Sequence, residues 1–160
     1  MSSKEYSRTP PRLRNIHTSS PVYFITFCTH DRQKLLANDA THDAFVGFVQ
    51  RGYDDHNIAV GRYVIMPDHV HLFVRGPYDF ELSVWVNQLK GFLTKHFRCS
   101  PLSVANDSPV WQRGFFDHVL RNYESYAEKW SYVEQNPVRA GLVETASDWT
   151  YAGELVEIRM

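Results

Sequence analysis

The sequence has little cysteine and no long hydrophobic run. Its two cysteines, Cys28 and Cys99, lie far apart and lack the close spacing of a zinc-binding knuckle, and two are too few for the disulfide framework of a small secreted domain. We therefore expect reduced thiols and a cytoplasmic protein. No apolar stretch approaches the roughly 20 residues that cross a bilayer. The Ser- and Arg-rich N-terminus lacks the apolar centre of a signal peptide, so neither export nor membrane contact is expected.

The sequence also lacks a large excess of either charge, with a net charge of -1 over 160 residues. This balance argues against a protein that binds polyanions over its whole surface, so contact with nucleic acid must depend on local patches. Basic side chains do cluster within residues 1–14 and 87–98, although ordinary solvated surface charge is an alternative interpretation. Those that we single out as candidate DNA contacts are Arg12, Arg14, Lys90, Lys95 and Arg98.

What the sequence does contain is typical of one globular domain. Hydrophobic residues make up 43% and aromatic residues 14% of the chain, and this length can bury about two-thirds of its unfolded surface around a single core. Paired prolines and a Ser-Ser-Pro step predict an extended basic arm over residues 1–20. We place the folded domain at residues 21–143 and a C-terminal tail at residues 144–160.

Hydrophobic periodicity predicts seven elements in the order strand, helix, strand, strand, helix, strand, helix. The predicted strands cover residues 22–29, 57–66, 69–75 and 110–120. The predicted helices begin at Asp39, at Glu81 and at Tyr123, and the last one ends near Asn136-Pro137 because proline disfavours helical geometry in the preceding residue. This order matches a ferredoxin-like α+β sandwich, in which helices cover one face of an antiparallel sheet, with one helix appended.

His69 and His71 form the most informative pair of side chains. Alternate residues of a strand share a face, so both imidazoles point to one side while Val70 and Leu72 point into the core. Two converging imidazoles suit a divalent cation, but such a site needs at least one more ligand. Two solvent-facing histidines on a strand are the alternative interpretation.

Tyr132 and Asn136 form a second pair. They stand four residues apart in the last predicted helix and therefore share a face, whereas the apolar stripe of that helix contains Tyr126, Trp130 and Val133. Tyr132 is thus off the stripe that faces the core, either by chance or because it is displayed for use. The Asn136 amide oxygen is able to ligate a hard cation, and a helix cap is its alternative role.

Three segments together resemble a known family. They are Met-Pro-Asp-His-Val-His-Leu-Phe-Val at residues 66–74, Trp-Gln-Arg-Gly-Phe-Phe-Asp-His-Val-Leu-Arg at residues 111–121, and Tyr-Val-Glu-Gln-Asn-Pro-Val-Arg-Ala-Gly-Leu-Val at residues 132–143. In order and spacing they resemble the single-tyrosine HUH transposases, and within these the REP-associated tyrosine transposases. The resemblance covers about residues 21–143 and implies the same ferredoxin-like fold.

The resemblance also implies a site. Tyr132 would be the nucleophile, His69 and His71 two ligands of Mg²⁺ or Mn²⁺, and Asn136 the third ligand. Gln135 is the alternative third ligand, since related insertion-sequence enzymes commonly use glutamine there.

The implied activity is cleavage and rejoining of single-stranded DNA at hairpin, REP-like elements through a 5′-phosphotyrosine. The protein would act as a monomer or homodimer associated with the nucleoid. The alternatives are an HUH replication or conjugation nickase and a catalytically silent binder of structured DNA or RNA. A zinc hydrolase is less well supported, because the sequence has no His-Glu-x-x-His.

Overall fold

A computed structural model describes residues 20–99 and 107–160 of the chain. A five-stranded sheet forms its centre, with the strand order β4-β1-β3-β2-β5 and every neighbouring pair antiparallel. The strands are β1 Val22–Cys28, β2 Ala59–Ile65, β3 His69–Arg75, β4 Phe116–Leu120 and β5 Ala152–Glu154. The helices are α1 Asp39–His56, α2 Leu82–Cys99, α3 Tyr123–Val133 and α4 Asn136–Arg139, with 3-10 turns at His30–Arg32 and Ala146–Asp148.

Side-chain alternation divides the sheet into two buried faces. Ile25 of β1 and Leu72 of β3 belong to the larger core, under α1 and α2. Phe24 and Phe73, one position away on the same strands, belong to a second core with Tyr126 of α3. The α+β fold predicted from the sequence is therefore confirmed, with two helices on one face and the appended helix on the other.

The last helix is interrupted where the sequence predicted that it would end. α3 stops at Val133 and α4 starts at Asn136, but Glu134 and Gln135 between them keep right-handed helical backbone angles. Pro137 lies within the first turn of α4, where its missing N–H costs no hydrogen bond. The proline therefore begins a short second helix, and the direction of the chain is largely kept.

The structure differs from the prediction on the strands at both edges of the sheet. The segment predicted as a strand over 110–120 is regular only from Phe116, because Gly114 takes a positive φ of 76° and Trp111 makes an isolated bridge to Thr29. β5 was not predicted. It pairs with β2, and Val156 and Ile158 beyond it are buried in the second core.

No helix in the described residues is long and apolar enough to cross a membrane. The predicted arm, including Arg12 and Arg14, lies almost entirely in residues 1–19, outside the part of the chain that the structure describes. The domain boundaries at 20 and 143 stay predictions.

Candidate functional site

The two histidines of β3 lie side by side on the sheet face that carries α3. His69, His71 and Phe73 alternate along the strand, and Phe73 is part of the core beneath α3. The imidazole centroids are 4.8 Å apart and the rings are nearly perpendicular, at 84°. The two imidazoles therefore lie on the same side of β3, as the alternation of the strand predicted.

Each imidazole uses its Nδ1 atom for a contact inside the protein. Nδ1 of His69 is 2.7 Å from Oδ1 of Asp68, and Nδ1 of His71 is 2.7 Å from Oγ1 of Thr26 on the neighbouring strand. When Nδ1 carries the proton and donates it to these oxygens, the lone pair is on Nε2. Metal-binding histidines are commonly oriented through their second nitrogen in this way.

Burial keeps both imidazoles in the neutral form that a metal requires. It lowers the pKa of His71 to about 3, an effect reinforced by the neighbouring positive charges. It also lowers the pKa of His69, although Asp68 opposes this shift. Protons therefore compete little for these ligands near neutral pH, and the donor set fits a divalent cation.

Asp68 is itself held by Arg32. Burial alone raises the pKa of Asp68, but hydrogen bonds from His69 and Arg32 outweigh this effect and lower it overall. The Arg32 Nε atom donates to Oδ2 of Asp68 at 2.8 Å. Arg32 Nη2 also lies 3.3 Å from Nδ1 of His69, but we interpret this as proximity because both nitrogens carry protons when His69 donates to Asp68.

The turn that supplies Arg32 has an unusual backbone. Asp31 and Arg32 both take left-handed φ angles, 52° and 54°, which non-glycine residues adopt uncommonly. Backbone of this kind costs energy and concentrates at functional sites. Here it brings the guanidinium of Arg32 back to the β2–β3 turn, beside His69.

Tyr132 projects from α3 and is 66% exposed. Arg139 of α4 lies over its ring, with Cζ 4.0 Å from the ring centroid, and Arg139 Nη2 donates to the Tyr132 carbonyl oxygen at 2.5 Å. The phenol is thus exposed to solvent, while the guanidinium of Arg139 covers one side of its ring.

Asn136 lies on the same side of the helix as Tyr132. Arg139 Nη2 contacts both the Tyr132 carbonyl and the Asn136 Oδ1 atom, so the face expected from the i, i+4 spacing persists across the break between α3 and α4. Gln135 is exposed and its side chain caps neither helix. The geometry does not favour either of the two as third ligand, and that choice stays a prediction.

Packing of α3 brings the tyrosine to the face of the histidines. Tyr126 on the inner side of α3 packs against Phe73, with centroids 4.3 Å apart and the rings tilted by 40°. Lys129 Nζ lies 5.1 Å from the ring centroid of Phe24, and Phe24 in turn stacks on His71 at 5.6 Å. The helix of Tyr132 therefore lies on the sheet of its own chain.

Asp68 contacts His69, but it does not combine with both histidines into a cluster of metal ligands. Within residues 20–99 and 107–160 there is no set of three or more His, Cys, Asp or Glu side chains arranged to hold a metal. Neutral oxygens also ligate hard cations, and the amides of Asn136 and Gln135 are the predicted source of one.

Lys90, one of the predicted DNA contacts, is buried in the structure. Lys90 was expected on the exposed flank of α2, but it is only 7% exposed, and its Nζ donates to the carbonyl oxygens of Gly114 at 2.5 Å and Gln112 at 3.3 Å. The expectation of an exposed flank was wrong for Lys90, because the segment before β4 covers it. Lys95 and Arg98 are exposed, on the helix layer opposite the face of the histidines.

The sequence analysis did not single out several residues that the structure places at the candidate site. They are Thr26, Arg32, Asp68, Lys129 and Arg139. Asp68 had a signal, since it stands next to His69, and the spacing of Lys129 and Arg139 from Tyr132 places them on its helical face. Thr26 is identified only by the register of β1 against β3.

An α+β sheet with a histidine pair on one strand, and an exposed tyrosine on the helix that packs on the same face, is what the resemblance to the single-tyrosine transposases implies. The sequence profile of the family described as "Transposase IS200 like" matches residues 17–136. This chain belongs to that family, and the resemblance seen in its motifs is confirmed.

Two relatives carry more specific names. A Haemophilus influenzae protein with the provisional name REP-associated tyrosine transposase is 28% identical over 148 residues, which cover 87% of this chain and 82% of the relative. The Escherichia coli REP-associated tyrosine transposase is 28% identical over 101 residues, covering 61% of this chain and 55% of that protein.

Two solved structures share the fold. One is a REP-associated tyrosine transposase bound to a REP hairpin, with a TM-score of 0.69 and 22% identity over 89% of this chain and 81% of that chain. The other, from Deinococcus radiodurans and provisionally named a transposase, has a TM-score of 0.54 and 17% identity over 76% of this chain and 95% of that chain. At these identities the likeness shows the fold alone.

Proposed function

We propose that this protein cleaves and rejoins single-stranded DNA at hairpin elements of the REP type, with Tyr132 as the nucleophile and a divalent cation at His69 and His71. The observation that carries the proposal is the placement of an exposed tyrosine on the helix that packs on the same sheet face as the histidine pair. The hairpin as substrate is inferred from the names of the relatives, one of which was solved with a REP hairpin.

The chemistry is an in-line exchange of one phosphodiester for another. The Tyr132 phenol loses its proton to solvent as its oxygen attacks phosphorus, and the bond from phosphorus to the 3′ oxygen breaks. The products are a 5′-phosphotyrosine and a free 3′-hydroxyl. Reversal by a different 3′-hydroxyl rejoins the DNA without water or nucleotide energy.

A cation completes the proposed site. Mg²⁺ or Mn²⁺ bound by His69, His71 and the amide of Asn136 or Gln135 would polarise the scissile phosphate and favour loss of the phenolic proton. Imidazole ligands suit Mn²⁺ better than Mg²⁺, so we expect Mn²⁺ to support cleavage well. Thr26 and Asp68 would orient the imidazoles.

A denaturing gel tests the nucleophile. Hairpin oligonucleotides from the DNA flanking the gene are labelled at either end and incubated with Mn²⁺ or Mg²⁺. Wild-type protein should shift the 3′-labelled fragment as a covalent adduct and release a 5′-labelled fragment with an extendable 3′-hydroxyl. Tyr132→Phe should form no adduct.

Tyr123→Phe is the matched control, because Tyr123 is a second exposed tyrosine of α3, 61% accessible. It should form the adduct at the wild-type rate. If Tyr132→Phe still forms the adduct, the assignment of the nucleophile is wrong. If the wild-type protein binds the hairpin but cleaves it with neither metal, the silent DNA-binding protein becomes the better description.

A further inference from the structure

The face of α3 and α4 that displays Tyr132 also carries two cations. Lys129, Tyr132, Asn136 and Arg139 follow one another at spacings of three or four residues, which places them along one side of a helix. The helical backbone angles of Glu134 and Gln135 preserve this alignment across the break. The nucleophile therefore has a positive side chain on each side along the helix.

Neither cation is neutralised within the described residues. The ion pairs found in residues 20–99 and 107–160 involve neither Lys129 nor Arg139. On a protein of net charge -1, two positive charges without a carboxylate partner thus stand on either side of Tyr132. They are suited to an anion that is brought to this position.

Arg139 is fixed in place and still has donors to spare. Its Nη2 atom contacts the Tyr132 carbonyl and the Asn136 amide, and its guanidinium lies over the Tyr132 ring. Its Nε and Nη1 atoms have no acceptor among the residues that the structure describes. A guanidinium held in this way is preorganised to donate to phosphate oxygens.

Lys129 approaches the same point from the sheet. Its ammonium lies above Phe24, whose ring stacks on His71. Lys129 shares a helix side with Tyr132 and Arg139, so its contact with Phe24 turns that side of the helix toward His71. The two cations, the nucleophile and the metal-ligand candidates thus face one space.

We propose that Arg139 and Lys129 form a binding site for the scissile phosphodiester of the DNA, and that Arg139 donates hydrogen bonds to its non-bridging oxygens during attack by Tyr132. The proposal rests on the proposed function, because it assigns the group that binds the reacting phosphate. It makes Arg139 a catalytic residue, since charge on these oxygens increases as the new bond to phosphorus forms.

The test is a double-mutant cycle between Arg139 and single phosphates of the DNA. Each phosphate near the foot of the hairpin is replaced in turn by an uncharged methylphosphonate, and binding is measured at equilibrium with Tyr132→Phe protein, which prevents cleavage. The partner protein is Tyr132→Phe with Arg139→Gln. Arg51→Gln on α1, on the other side of the sheet, is the matched control.

With Arg139 present, we expect the neutral linkage at the cleaved position to weaken binding by about tenfold, an energy typical of a charge-assisted hydrogen bond. In Arg139→Gln the same replacement should change binding less than twofold, and Arg51→Gln should behave like the parent. Equal losses with and without Arg139 at every position would overturn the proposal.

Cleavage of unmodified DNA provides the second measurement. Arg139→Gln in an otherwise wild-type chain should cleave about 10²- to 10³-fold more slowly, as when one donor to a developing oxyanion is removed. Arg139→Lys should recover part of the rate if charge is the main contribution. A thermal unfolding curve close to that of the wild type confirms that the variants fold.

The two proposals fail in different ways. If wild-type protein cleaves but Arg139 shows no coupling to any phosphate, only the phosphate site is wrong. If Arg139 couples to a phosphate and no protein cleaves, the site is a DNA-binding site and the proposed reaction is wrong. Failure of the hairpin to bind at all would reject both.

Discussion

Among single residues, Asp68 and Thr26 decide the orientation of the two imidazoles. Oδ1 of Asp68 and Oγ1 of Thr26 each lie 2.7 Å from one Nδ1 atom. When Nδ1 donates to them, Nε2 of His69 and of His71 is available to a metal. Arg32 in turn donates a hydrogen bond to Asp68 and so fixes the carboxylate that contacts His69.

We predict that Asp68→Asn weakens Mn²⁺ binding by about 10- to 100-fold, because an amide accepts the Nδ1–H less strongly and leaves His69 freer to rotate. Isothermal titration calorimetry of the DNA-free protein measures this change directly. Asp79→Asn, at an exposed carboxylate, serves as the control. An unchanged Mn²⁺ affinity in Asp68→Asn would remove Asp68 from the site.

At the level of secondary-structure elements, α2 shows that the exposure of a side chain on a helix depends on segments distant in sequence. Its apolar residues are buried against the sheet, but Lys90 is buried as well, between the helix and the segment that leads into β4. Its ammonium donates to two carbonyl oxygens and lies over Phe27. Lys95, five residues later, is exposed.

The two lysines should therefore respond differently to removal. Lys90→Ala should lower the free energy of unfolding by about 1–3 kcal/mol, since two carbonyl oxygens lose the Lys90 ammonium as their donor, and should leave the salt dependence of DNA binding unchanged. Lys95→Ala should leave stability unchanged and reduce the salt slope by about 0.7 to 0.9 if it contacts a phosphate. Chemical denaturation and binding at several salt concentrations distinguish them.

Elements with strong local patterns were predicted well from the sequence. β3 spans His69–Arg75 as expected, because strict alternation and β-branched residues specify a strand locally. β5 was missed because Ala-Gly-Glu has no strand propensity, and its pairing with β2 is imposed by the tertiary structure. A similar limit applies to Lys90, whose burial depends on a segment more than 20 residues later in the sequence.

Much of the candidate site was also visible in the sequence. The strand period places His69 with His71, and the helix period places Tyr132 with Asn136. These periods do not predict that the histidine pair and the pair of Tyr132 and Asn136 lie on one face of the sheet. That placement depends on the packing of Tyr126 against Phe73. Arg139 and Lys129 look like ordinary surface charges until that packing is known.

For the whole molecule, the important feature is that α3 packs on the sheet of its own chain. Phe73 packs against Tyr126 and lies near Trp130, so the tyrosine and the histidines belong to one polypeptide. We expect the site to be complete without an exchange of helices between two copies.

We therefore predict that two inactive variants do not complement each other. His71→Ala and Tyr132→Phe, mixed in equal amounts, should show no more cleavage than either alone, because each site is built from one chain. Recovery of up to a quarter of wild-type sites would be the random-mixing result for a homodimer that shares its helices, and would contradict the arrangement. The gel assay of covalent adducts measures the outcome.

A site assembled in this way limits how many DNA ends one molecule can keep. A single phenolic oxygen holds one 5′ end at a time, whereas moving a DNA segment requires a break at each of its two borders. If each molecule has only Tyr132 for this purpose, either two molecules must hold the two borders together or one molecule must release the first end before it takes the second. Counting adducts per protein during a reaction would reveal which order of events this transposase family member follows.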